Sequence, residues 1–102
     1  MLTITNTGLD QQAISKINDV FRLFPEINEV ILYGSRAMGN FKPYSDIDLT
    51  LKGKNLDLSI QQKIETQLDD LLLPYKIDLS TFHQIQNQDL VDHISRVGKK
   101  FY

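Results

Sequence analysis

Gly34-Ser35, ten further residues and then Asp46-Ile47-Asp48 hold the residue types this chain could use for chemistry. Side chains at i and i+2 of a strand share one face. Asp46 and Asp48 would then lie about 6.5–7 Å apart along the backbone and lean toward a common cation. Mg2+ prefers oxygen ligands and usually takes one or two carboxylates, leaving its other positions to water and substrate phosphates. A pair of ions about 3.5–4 Å apart needs a bridging carboxylate, which such a pair supplies. The glycine after a strand lets backbone N–H groups approach an anion. The Ser35 hydroxyl adds a donor, and a helical turn starting there presents its positive end. Together these parts suit a metal-bound nucleoside triphosphate. Singly, each has a plainer reading, as a strand-end turn or a solvent-facing strand edge. Their register favours function.

Asp78, between Ile77 and Leu79, extends the set. If its strand lies beside the one carrying Asp46 and Asp48, it becomes a third carboxylate, placed to act as general base with partial metal contact. A solvated strand position explains the pattern equally well. Arg36 and Lys42, loop cations between the turn and the acids, could neutralise triphosphate charge or stand idle in solvent. His83 and His93 lack the spacing of a zinc site, and no serine has a histidine and an acid patterned around it as a triad.

The elements that must position these residues follow from periodicity. Thr7-Gly8-Leu9-Asp10 marks a helix start, and Ile14, Ile17, Phe21 and Phe24 supply the apolar face of a helix over roughly residues 9–24, ended by Pro25. Glu29 to Tyr33 reads as a buried strand. Gly34 to Tyr44 is irregular, with one short helical turn over Ser35-Arg36-Ala37-Met38. Ser45 to Lys52 forms a second strand, with Ile47, Leu49 and Leu51 on one face and Asp46, Asp48 and Thr50 on the other. A helix over about Leu58 to Leu73 is capped by Asp57 and ended by Pro74. Tyr75 to Ser80 is a third strand, and Gln88 to Val97 a last helix that stops at Gly98. The order predicts an α/β (α+β) two-layer domain, a small mixed β-sheet packed against helices.

Composition agrees with one domain spanning residues 1–102. The chain is 41% hydrophobic and 24% charged, with a net charge of −2, which lacks the basic stripe of a nucleic-acid binder. Arg96, Lys99 and Lys100 form the one cationic cluster and read as a solvated helix end. Cysteine is absent, excluding disulfides and thiolate metal sites. The N-terminal residues have no signal-peptide pattern, and no apolar run is long enough to span a bilayer. A cytoplasmic protein is expected, with no second domain to carry an acceptor.

The segment Gly34-Ser35-Arg36-Ala37-Met38-Gly39-Asn40-Phe41-Lys42-Pro43-Tyr44-Ser45-Asp46-Ile47-Asp48-Leu49 closely resembles the signature of the DNA polymerase β-like nucleotidyltransferases. The short chain is similar to their minimal nucleotidyltransferase (MNT) branch. The likeness extends to Ile77-Asp78-Leu79 and to the Ile94…Gly98…Tyr102 ending. It implies a nucleotidyltransferase fold that binds Mg2+ and ATP, with a two-metal site. Asp46, Asp48 and Asp78 would be metal ligands and catalytic acids, Asp78 the base, and Gly34, Ser35, Arg36 and Ser45 would hold the nucleotide. Such proteins are commonly antitoxins that transfer AMP from ATP to a tyrosine of a HEPN ribonuclease toxin. The resemblance therefore implies that partner and that reaction, or else neutralisation by binding with little catalysis. Met38 and Asn40 depart from the pattern, where a basic and an acidic residue are frequent.

Overall fold

The computed structural model describes residues 6–102; residues 1–5, part of the N-terminus read above for targeting signals, lie outside the described residues. The chain runs α1 (Gln11–Phe21), β1 (Glu29–Tyr33), α2 (Ser35–Met38), β2 (Ile47–Lys52), α3 (Leu58–Asp69), β3 (Ile77–Thr81), α4 (Gln88–Val97) and β4 (Lys99–Lys100), with a 3-10 turn over Phe82–Gln84 after β3. The strands form one four-stranded sheet in the order β3-β2-β1-β4. It is mixed: β1 pairs antiparallel with β2 and β4, whereas β2 and β3 are parallel. A parallel pair needs a long crossover, and α3 supplies it.

Local signals account for the helix boundaries. The Asp10 carboxylate accepts from the Ala13 N–H at 2.7 Å, and Asp57 accepts from Ile60 N–H at 2.9 Å. Each satisfies a donor that the first helical turn leaves without a partner. Asn87 does the same for α4 through Leu90. Helix α1 ends at Phe21, three residues short of the predicted stop. Leu23 and Phe24 instead donate to Val20 and Phe21 in tight turns.

Alternation in the strands gives the sheet two unlike faces. On one, Val30, Leu32, Leu49 and Leu51 are fully buried and join Leu79. They pack with Ile14, Ile17 and Phe21 of α1 and Ile64 and Leu68 of α3 in the main core. Each such side chain contributes on the order of 1.5–3 kcal/mol when taken out of water. The opposite face carries Tyr33, Asp48 and Asp78 in one row and Ile31, Thr50 and Ser80 in the next. Helix α4 lies against β1 on that side, its His93 ring edge-on to Tyr33.

One expectation is corrected here. Lys99 and Lys100 are not a solvated helix end: they form the edge strand β4, paired with Leu32 and Ile31. Val30 continues the pairing, its N–H donating to the Tyr102 carbonyl and its carbonyl accepting from Phe101 N–H at 2.7 Å. Phe101 is thereby fully buried, edge-on to Phe21. Among the described residues no helix is long and apolar enough to cross a membrane.

Candidate active site

Strand register assembles the acids. Tyr33 pairs with Asp48, and Asp48 pairs with Asp78, so the three side chains form a row across β1, β2 and β3 on the face away from the main core. Asp46 lies one residue ahead of β2, in exposed backbone rather than inside the strand as the alternation predicted. The strand starts later because the Ile47 N–H, donating to Lys76 O at 2.9 Å, makes the first link to β3, while Ser45 N–H turns back to Lys42 O. Asp46 is therefore the wet member of the set and Asp48 the half-buried one.

The charges are arranged against themselves. Burial raises the Asp48 carboxyl above its ordinary value, and the Asp78 and Asp46 charges add to the rise, with His93 opposing it. The Tyr33 hydroxyl is raised as well, first by burial and further by Asp48 and Asp78, with Ser80 partly offsetting. Among the described residues the ion pair present joins Asp19 of α1 to Arg22 just past its end, and no basic side chain pairs with Asp46, Asp48 or Asp78. A cluster of carboxylates without a basic partner calls for a cation from outside.

Oxygen donors with no nitrogen or sulfur among them suit a hard divalent ion such as Mg2+. Among the described residues no three Asp, Glu, His or Cys side chains are close enough to hold one ion between them. Acids so placed suit an ion that keeps most of its coordination for water and phosphate, and Asp46 and Asp48 lie two residues apart around the start of β2. Asp78 stands beside them.

The turn after β1 meets these acids directly. Gly34 has φ 75° and ψ −158°, a region essentially confined to glycine. A Cβ on it would collide with Oδ2 of Asp48, so the carboxylate occupies the space a side chain would need. The Gly34 carbonyl accepts from Ala37 and Met38 N–H at 3.1 Å, closing the short helix α2. Ser35 opens that helix and is half-buried.

Two residues expected beside the nucleotide are placed otherwise. Arg36 is not an exposed loop cation: its side chain is 1% exposed. The guanidinium donates to the carbonyls of Thr7 at 2.7 Å, Ser45 at 3.0 and 3.1 Å, and Pro43 at 3.4 Å. It also stacks over the rings of Phe41 and Tyr75. The Ser45 hydroxyl accepts from Lys42 N–H at 2.8 Å, closing the turn before Asp46. Both residues hold the loop that delivers Asp46.

That assignment predicts a stability effect. Arg36→Met should remove several charge-assisted hydrogen bonds and leave buried carbonyls without donors, a loss of about 3 kcal/mol. A melting curve should show Tm lowered by roughly 10 °C or more. A shift within 2 °C would contradict the structural role.

His93, which has no site role by spacing, meets the glycine turn. Its Nε2 accepts the Gly34 N–H at 3.1 Å, and its ring meets Tyr33 edge-on with centroids 6.1 Å apart. The available signal was helical spacing, since Leu90 and Val97 lie three before and four after it, which puts the imidazole on the packed side of α4.

Residues 15–102 match the Polymerase beta, Nucleotidyltransferase family. The chain belongs to that family. No curated protein matches it closely in sequence. Among solved structures it resembles a chain of a toxin–antitoxin complex with AMP-PNP, at 23% identity and a TM-score of 0.71, covering 87% of this chain and 72% of that one. It also resembles a chain of a complex between tri-AMPylated Shewanella oneidensis HEPN toxin and MNT antitoxin. There the identity is 21% and the TM-score 0.68, over 92% of this chain and 72% of that one. A chain of the MntA–HepT toxin–antitoxin complex matches at 21% identity and a TM-score of 0.67, over 91% and 72%. At these identities the likeness establishes the fold, a polymerase β-like nucleotidyltransferase architecture.

Proposed function

We propose that this chain is an antitoxin of the MNT type, transferring AMP from Mg-ATP to a tyrosine of a cognate HEPN toxin and so silencing it. The observation that carries the reading is the Asp48–Asp78 register pair, with Asp46 adjacent, set against the glycine turn and with no ion pair to a basic side chain among the described residues. The resemblance to complexes containing AMP-PNP and an AMPylated toxin supports the donor and the kind of acceptor.

In the proposed reaction the acceptor oxygen attacks the α-phosphorus of ATP. The bond from that phosphorus to the bridging oxygen breaks, and pyrophosphate leaves. Asp78, exposed at the end of the row, takes the acceptor's proton. Asp46 and Asp48 would hold Mg2+, which neutralises phosphate charge and orients the triphosphate. Gly34 and Ser35 offer the turn on which the phosphates rest, and Arg36 and Ser45 contribute by fixing the approach to Asp46. The acceptor is expected on a separate polypeptide, with this chain acting as a single catalytic domain in the cytoplasm.

The test is incubation of the purified chain with labelled ATP, Mg2+ and its co-encoded partner. Label should appear on a partner tyrosine and vanish when Asp46→Asn and Asp48→Asn are combined. Label on no protein, or label that survives the double variant, refutes the transfer. A double variant that still fully neutralises the toxin assigns antitoxicity to occlusion by binding instead.

A further inference from the structure

The phosphate turn is held from outside its own loop. Gly34 lies at the end of β1, and its N–H donates to Nε2 of His93, 59 residues on in sequence, at 3.1 Å. His93 sits on α4, half-buried, with its ring edge-on to Tyr33. Helix α4 is itself fixed: Ile94 is buried, Asn87 caps the start, and Gly98 N–H donates to the Ile94 carbonyl at 2.8 Å before the chain enters β4.

A glycine in this backbone region has wide freedom. Nothing in Gly34 itself fixes the direction of the Tyr33–Gly34 peptide plane, which carries its N–H into the turn. The neighbouring peptide groups are anchored in the β1 ladder and in α2, and the Gly34 N–H is anchored by His93. We infer that His93 is a positioning residue for nucleotide binding: by accepting the Gly34 N–H it presets the turn that receives the triphosphate and keeps the Gly34 backbone against Asp48. The inference rests on the nucleotide-binding reading above but has a readout of its own in the Gly34 amide.

Reach distinguishes the hydrogen bond from mere packing. Gln Oε1 is as many bonds from Cα as His Nε2, so His93→Gln can restore the acceptor. Asn Oδ1 is one bond shorter and matches Nδ1, so His93→Asn cannot. His93→Leu fills space without accepting. The experiment compares the full-length protein with these three variants, reading the Gly34 amide resonance and its hydrogen exchange by NMR, and Mg-ATP affinity by calorimetry.

The Asn and Leu variants should displace the Gly34 amide resonance and speed its exchange, with Mg-ATP bound roughly tenfold more weakly. The Gln variant should stay within about twofold of the parent on the same scale. Unchanged Gly34 amides in folded Asn and Leu variants would overturn the proposal. So would equal weakening in all three variants, which would mean the imidazole acts by shape alone. If the parent protein binds no Mg-ATP, the nucleotide reading fails and His93 loses its role in binding with it. A parent that binds while the variants bind equally well overturns the His93 assignment alone.

Discussion

Asp48→Asn is expected to abolish nucleotidyl transfer while making the metal-free protein more stable at neutral pH. Asparagine keeps the shape of the carboxylate but removes the charge that a divalent ion needs, so the loss in rate should be at least about a thousandfold. The stability change follows from linkage. Burial, then Asp78 and Asp46, raise the Asp48 carboxyl above its ordinary value of 3.8. A carboxyl with a folded pKa above its unfolded one binds its proton more tightly in the folded state. Between the two values the folded protein therefore loses stability as pH rises.

Above that window the ionised Asp48 is a standing destabilisation, and Asn relieves it. Below 3.8 both states carry the proton and the advantage of the variant disappears. Melting curves of parent and variant across this range, without divalent ions, read the difference directly. Added Mg2+ should raise the Tm of the parent and leave the variant little changed, because an ion that binds only the folded state stabilises it by mass action. A variant less stable than the parent at neutral pH would show that the carboxylate is satisfied in a way the row of acids does not suggest.

Gly34→Ala is expected to damage binding and stability together. Its φ of 75° with ψ of −158° is a conformation that alanine reaches only at about 1–3 kcal/mol. The added methyl also meets Oδ2 of Asp48, so the carboxylate or the turn must give way. Either movement would spoil the geometry proposed for phosphate and cation, and a misplacement near 1 Å at such a site lowers turnover by about a hundredfold. We expect kcat/KM for nucleotide transfer to fall by about that factor and Tm to drop by roughly 5–15 °C. Gly39→Ala is the control: its φ is 87°, and a Cβ there meets nothing within 4 Å. The strain should recur without the loss of transfer. Equal activity losses at both positions would mean that loop strain, and not the contact with Asp48, explains the Gly34 effect.

What could be read from residues alone was whatever local chemistry dictates. Asp10 and Asp57 are caps because a short acceptor before an apolar helix face has one good use. Alternation set Leu49 and Leu51 toward the core and left Asp48 on the other face. The last helix begins and ends where its pattern places it, at Gln88 and Val97. The Gly34-to-Asp48 signature was legible because its glycine, serine and acids each suit the same proposed ligand chemistry.

Tertiary structure decided what depends on partners distant in sequence. Two lysines with no apolar pattern became β4 because β1 offered a free edge beside them. Arg36 has the composition of a solvated loop cation, yet three backbone carbonyls and two aromatic rings enclose it. Asp78 became the neighbour of Asp48 only through the parallel register of β2 and β3, and a slip of one residue would have turned it to the core. His93 met Gly34 because α4 returns across β1, a contact that no local spacing encodes. The sequence by itself determined the donor chemistry of the Gly34-to-Asp48 motif, since residue type alone sets what a group can bind. Its charge balance, its third acid and its support were decided by the fold, because those depend on distances between strands and helices that only packing sets.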